Sequence, residues 1–454
     1  MDNKKQKVLN YCDELTEDTV SLLEELVKIP SENPSYNYDE LYYKKMGYTQ
    51  KYYDEPVTRG GETRVAKYLH PILEEICGQS ELVAKDPLRS NVIGIIEGKK
   101  KKKSLALNAH IDTVATGFHE KWTETGGNPF NPVIKNGRMY GRGTTDDKGP
   151  LAAMIMAVKS LKLAGVKLQG ELQVHCTVGE ESGDGKTLGP GWFLNDNPRF
   201  KTDACIVAES SAPPARLGVC LASAGITCLR IHIQGKAVHS SMRYRTIRTG
   251  YEGSEVGMNA MDVAFKIYRA LRELEQQWAF KKDETGLAPI GFSSIPIGVA
   301  GGHPGGLGPP SFLADSIVLS SGIWRTPKEK AEDVKEDVTR AVNGVCEGDH
   351  WLRENPPVLE WWQDWDAFYI EKDHPLSKTV SSSVQEVLKE EPQYMCWQPT
   401  TDARWYQDAG IPSLIIGPGD YRNAHAYNEY ITLDEFSDAM KIYALSVMDW
   451  LGYE

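Results

Sequence analysis

Three short apolar runs constrain this fold most: SLALNAHID (104–112), ELQVHCTVG (171–179) and DACIVAE (203–209). Each has the length and content of a strand, and each ends on or just before acids or a histidine. Between the first two lies KGPLAAMIMAVKSLKLA (148–164), which reads as a buried helix. Strand, helix, strand in this order predicts an α/β layer with a largely parallel sheet. In open sheets of that kind, ligands bind at the carboxyl ends of the strands, where these acids and histidines fall.

The remaining pattern extends this layer and then interrupts it. Helical spacing predicts an amphipathic helix over 14–29, ended before Pro30, and another over 61–77. SNVIGIIEG (90–98) reads as a strand, joined to 104–112 by a hairpin turn through the lysine run 99–103. Residues 31–60 are polar and rich in tyrosine, which suggests a surface insertion. Beyond 216 come an alternating strand (216–234), a helix (255–279), a Gly/Pro-rich loop (298–310), a strand (316–324), a helix (327–345) and a strand near 357–361. That succession suggests the β-α-β-β-α-β order of a ferredoxin-like split unit, expected as a small domain at 217–366. The chain then returns to helix (375–389), strand (413–417) and a terminal helix (433–450). The expected fold is therefore α/β. A catalytic domain with a mixed, mostly parallel sheet is formed by 1–216 and 367–454, with the second domain inserted.

Composition narrows the function. The chain of 454 residues carries 51 basic and 63 acidic residues, a net charge of −12, which disfavours nucleic acid as a partner. No apolar run is long enough to span a membrane, and the first residues form no apolar export signal. The eight cysteines are scattered without a C-x-x-C pair, as expected of reduced thiols in the cytoplasm. Ser182–Thr187 has the look of a phosphate-loop tail, but Glu180 stands where the leading glycine would be. No G-x-S-x-G elbow of a serine hydrolase is present.

Five acid or histidine positions carry the candidate chemistry. In His110-Ile111-Asp112 the ring can offer one nitrogen to a metal while the carboxylate holds the other N–H. Gly141–Gly149 presents Asp146 and Asp147 before a helix. Glu180 and Glu181 are adjacent carboxylates, which belong in a buried site only if a cation neutralises them. Glu209 ends a strand, and His425 lies in Asn423–Glu429. Each alone has a plainer reading, such as a structural histidine, a helix cap or a solvated turn.

Together, HIDT, GRGTTDDKGP, GEES, a strand-terminal Glu and AHAYNE resemble, in order and spacing, the M20 metallopeptidases. That family includes acetylornithine deacetylase, succinyl-diaminopimelate desuccinylase, aminoacylase and the carnosinase-type dipeptidases. The resemblance implies that His110, Asp146 and Glu209 bind one metal and that Asp146, Glu181 and His425 bind a second. Asp112 would support His110, and Glu180 would be the general base. The Asp146–Asp147 peptide would be cis. Two Zn²⁺ ions are implied, with Co²⁺ or Mn²⁺ as substitutes. The inserted domain would be a lid and dimerisation domain. Its His239 would stabilise the oxyanion, often in the partner subunit's site. Thr400 and Arg404 would grip a substrate carboxylate, and Arg325 sits near where the family keeps a second, lid-borne substrate arginine.

The departures from the family pattern point both ways. Asp-Lys-Gly-Pro after Asp146 resembles the dipeptidase branch, whereas Glu209 resembles the deacylases. Arg325-Thr326-Pro327 is one residue shorter than the usual R-x-x-P, and the 298–312 loop lacks the usual Asn. The expected function is a di-metal amidohydrolase, foremost an N-acyl-amino-acid deacylase. A metallodipeptidase, a small-amide or carbamate hydrolase, and a non-catalytic binding relative are the alternatives.

Overall fold

A computed structural model describes residues 2–34, 60–100, 103–302 and 311–454. Most of the tyrosine-rich insertion, the centre of the lysine run and most of the Gly/Pro-rich loop lie outside the described residues. The main sheet has eight strands. Their spatial order is Gln79–Asp86, Arg89–Ile96, Glu171–Thr177, Ser104–His110, Cys205–Val207, Ser413–Ile415, Val219–Ser223 and Tyr394–Trp397. The four central strands, from Glu171–Thr177 to Ser413–Ile415, run parallel, so their carboxyl ends share one edge. The sheet is mixed overall, because the flanking pairs include antiparallel ones.

Helices Asn3–Glu14, Thr16–Val27, Gly61–Cys77, Lys148–Leu163, Pro375–Leu388 and Phe436–Leu451 contribute to the larger core. The first was not expected from the sequence. Lys148–Leu163 is buried from Lys148 through Val158, as a helix apolar on every side must be. A second core cluster includes Phe193, Phe200, Phe368 and Tyr406. The eight cysteines are unpaired. Among the described residues, no helix is long and apolar enough to cross a membrane.

A separate four-stranded antiparallel sheet has the order Ile297–Gly302, Ser316–Arg325, Gly225–Gln234 and Val358–Trp365. Helices Ala260–Trp278 and Ala331–Gly348 supply the apolar partners of this sheet, Val263, Ile267, Val334 and Val338 among them. The expected strand 216–234 is two strands: Val219–Ser223 belongs to the large sheet and Gly225–Gln234 to the small one. The expected 298–310 loop begins as an edge strand.

The expected hairpin between 90–98 and 104–112 is corrected. Glu171–Thr177 lies between those strands, antiparallel to one and parallel to the other. Lys99 and Lys100 instead donate main-chain N–H groups to the carbonyls of Leu168 and Gln169, which leads that third strand into the gap. Apolar content fixes burial, but it does not choose the neighbour.

One buried polar group reports on this packing. His175, in a central strand, meets Tyr406 Oη and Gln173 Oε1 at 2.8 Å each and is surrounded by Phe193, Phe200 and the Tyr406 ring. Burial pushes its pKa down to about 3. The unfolded chain binds this proton near the ordinary histidine value, so the contribution is intact above about pH 6.5 and lost as pH falls toward 3. Urea unfolding should therefore show stability falling between pH 6.5 and 4.5 by up to about 1.4 kcal/mol per pH unit. A His175→Asn variant should lack that component, and an equal slope in the variant would contradict it.

Candidate metal centre

The carboxyl ends of the four parallel strands assemble the site. His110 is the last residue of its strand, Glu180 and Glu181 follow Thr177, Glu209 follows Val207, and His425 lies in the loops after Ile415. The Asp146–Asp147 peptide is cis. Asp146 lies between the two histidines: its Oδ1 is 2.9 Å from His110 Nε2, and its Oδ2 is 3.2 Å from His425 Nε2. Glu209 Oε1 stands 3.7 Å from His110 Nε2, and Glu181 Oε2 stands 3.0 Å from His425 Nε2. The five positions singled out as ligands thus converge, in two groups that share Asp146.

The supporting bonds differ in part from expectation. His110 Nδ1 faces the main-chain carbonyl of Asp112 at 3.0 Å, with the carboxylate farther away at 3.6 Å. The Asp112 carboxylate mainly organises the next loop, accepting N–H groups from Gly179, Glu180 and Glu181 at 3.0–3.3 Å. Asn33 adds a donor at 2.7 Å. One buried anion therefore holds the turn that carries both glutamates. Burial opposes its charge, yet the His110 ring and Arg89 keep its carboxyl below the usual range. Asp147, which the sequence reading left without a site role, accepts the His110 main-chain N–H at 3.0 Å through Oδ2. Its Oδ1 is buried without a protein partner.

The electrostatics favour a cation. Burial, reinforced by neighbouring acids, raises the pKa of Glu180, Glu181 and Glu209. Partial loss of solvent would lower the pKa of His425, but Glu181 and Asp146 drive it up to about 11. Crowded carboxylates and an imidazole pulled toward its charged form both reflect unmet negative charge. Two donor sets, His110–Asp146–Glu181 and His110–Asp147–Glu209, each offer atoms within 4.8 Å of one another. Imidazole nitrogens and carboxylate oxygens suit a borderline divalent ion, so the residues fit metal binding.

These groups open into a cavity of about 250 Å³. Asp146, Glu180, Glu181, Glu209 and His425 line one part, and Trp324, Trp365, Trp397, Thr400 and Tyr421 line another. Among the described residues no lysine or arginine is on its wall. The tryptophans escaped the sequence reading because they are far apart in the chain and follow no local pattern. Thr400 reaches the cavity as expected. Arg404 and Arg325 do not. Arg404 pairs with Asp408 at 2.7 Å and Asp366 at 3.4 Å. Arg325 is buried, donating to the carbonyls of Glu329 and Trp365 and to Asp366 at 2.8–3.1 Å. Arg325 ties together parts of the small unit, Arg404 links its own helix to Asp366, and neither lines the cavity. His239 is exposed, next to Ser241, and does not line the cavity of its own chain.

An acid-and-imidazole cluster at the carboxyl edge of a parallel sheet, beside a cavity, suits a metal-dependent hydrolase. The model of peptidase family M20/M25/M40 matches residues 106–449, and the chain belongs to that family. It is 30% identical over 405 residues to N-formyl-4-amino-5-aminomethyl-2-methylpyrimidine deformylase of Bacillus subtilis, covering 87% of this chain and 89% of the relative. It is 23% identical over 450 residues to a probable succinyl-diaminopimelate desuccinylase of Staphylococcus epidermidis, covering 94% and 96%. A solved di-peptidase of Saccharomyces cerevisiae shares the fold, with a TM-score of 0.70 at 17% identity and 99% of each chain covered.

Gly183 sets one wall of the cavity. Its φ is +73°, and an added Cβ would lie 2.1 Å from Cζ2 of Trp365. Gly183→Ala should therefore displace Trp365, lower stability by about 1–3 kcal/mol, and raise KM more than it lowers kcat. Denaturation and steady-state kinetics would decide this, and unchanged KM with an unchanged melt would contradict it.

Proposed function

We propose that this chain is a two-zinc deacylase that removes a small acyl group from an amine attached to a flat ring. The observation that carries this reading is the cavity wall: an acid-and-imidazole end beside three tryptophans and a tyrosine, with no lysine or arginine among the described residues. Flat aromatic faces suit a planar ring. Among the described residues no guanidinium faces the cavity to meet a free carboxylate, so an amine on a flat ring, rather than the N-acyl amino acid favoured by sequence, becomes the leading substrate class. The deformylase relative is named for an N-formyl derivative of an aminomethylpyrimidine, an amide beside a flat heteroaromatic ring.

His110, Asp146 and Glu209 would hold one zinc, and Asp146, Glu181 and His425 the other. When bound, the two ions supply Lewis acidity that lowers the pKa of water and polarises a carbonyl. Glu180 takes the proton of the attacking water as the new C–O bond forms at the amide carbon. It then delivers that proton to the nitrogen as the C–N bond breaks. Burial, which raises the Glu180 pKa, suits it to both roles. Asp112 aims Glu180 by holding its main chain.

We assign the inserted unit, 217–366 by sequence and 225–365 by sheet membership, to a ferredoxin-like lid and dimer contact. The sequence order of its strands and helices supports this assignment. His239, exposed on that unit, would face the carbonyl oxygen in the cavity of a second copy of the chain.

Two measurements test this reading. On zinc-loaded protein, N-formyl and N-acetyl aminomethylpyrimidines should be hydrolysed with kcat/KM at least about tenfold above N-acetyl or N-succinyl amino acids and dipeptides. Faster turnover of the amino-acid substrates would reverse the assignment. Glu180→Gln should bind zinc as the parent does and lose on the order of 10²–10⁴ in kcat. A variant of near-parental kcat would remove Glu180 from the proton-transfer role.

A further inference from the structure

The two imidazoles of the cluster are held in different ways. His110 ends a buried strand, and the sheet fixes it. His425 lies on a loop, its side chain 55% exposed and its φ at +62°. A non-glycine residue in left-handed backbone persists only where its surroundings determine it. Even so, its Nε2 is within 3.2 Å of both Asp146 and Glu181.

Glu429, four residues farther on, supplies the restraint. It is 1% exposed. Its Oε1 accepts the main-chain N–H groups of Thr145 at 2.9 Å and Asp146 at 3.2 Å, and its Oε2 accepts Arg142 Nη1 at 2.6 Å. Its own carbonyl accepts the Gly141 N–H at 2.9 Å. Arg142 lies 4.9 Å over the Trp122 ring, which fixes the far side of the pair. Asn428, also left-handed at φ +57°, anchors the same loop by accepting the Glu124 N–H at 3.0 Å. A single carboxylate therefore grips the peptide that carries Asp146 and is covalently tied to the loop that carries His425.

We infer that Glu429 is a positioning residue that sets the spacing between Asp146 and His425, and through it the zinc position completed by Glu181. This rests on the two-zinc reading above. The other position shares Asp146, but it also draws on His110 and Glu209, which are placed by strand ends that Glu429 does not touch, so loss of Glu429 should weaken it less. Partners that orient metal ligands are commonly worth on the order of 10–100-fold in affinity.

The test is calorimetric titration of metal-free protein with Zn²⁺, together with zinc content after dialysis. The parent should bind two ions. Glu429→Gln, which keeps the shape but turns an amide toward Arg142, should hold one ion on the order of 10–100-fold more weakly and the other with a clearly smaller loss. Fewer than two ions in the parent would overturn the two-zinc reading, and this inference with it. Two ions in the parent and two undiminished ions in the variant would overturn the inference alone, as would equal weakening of both. If Glu429→Gln shows no cooperative melt, Glu429→Asp carries the same expectation. It keeps the charge beside Arg142 but falls short of the 145–146 amides.

Discussion

The organising constraint of this molecule is the mutual repulsion of buried carboxylates. Asp146, Asp147, Glu180, Glu181 and Glu209 crowd around two imidazoles at one edge of the sheet. Like charges so close would separate if their backbones could move, because each gains from hydration elsewhere. What holds them is main-chain structure: strand ends for His110 and Glu209, Asp112 for the 179–181 turn, and Glu429 for the Asp146 peptide. The scaffold spends hydrogen bonds to keep anions where solvent alone would not leave them, and the result is a place suited to divalent ions.

Two of the supporting anions use the same device at different points. Asp112 gathers three successive N–H groups after one strand, and Glu429 gathers two before the buried helix. Backbone donors favour the ionised form without adding mobile positive charge beside the cluster. Arg142 is the exception, and it is kept on the outer side of Glu429, against Trp122.

The parts of this arrangement that could be read from sequence are those in which chemistry and position are local. His110, Asp146, Glu181, Glu209 and His425 each follow a strand or flank a helix, so periodicity places them, while their task is suggested only by the family that their motifs resemble in order and spacing. Arg325 and Arg404 pair with acids that the sequence does not place beside them, because a guanidinium takes the acids its fold brings near, and Asp366 serves both. The 90–98 strand was given the wrong neighbour because sheet order depends on competition among equally apolar strands. The tryptophan wall draws on both sheets and has no local signature, and the reach of Asp147 and Glu429 depends on which main-chain donors lie opposite them.

Trp324 and Trp365 belong to the small sheet, whereas the acids they face belong to the large one. The seat of Trp365 on Gly183 is therefore a seam between two bodies of the protein. A shift of one sheet against the other would change the breadth of the cavity, so the room offered to a molecule is set by how the two sheets are packed together.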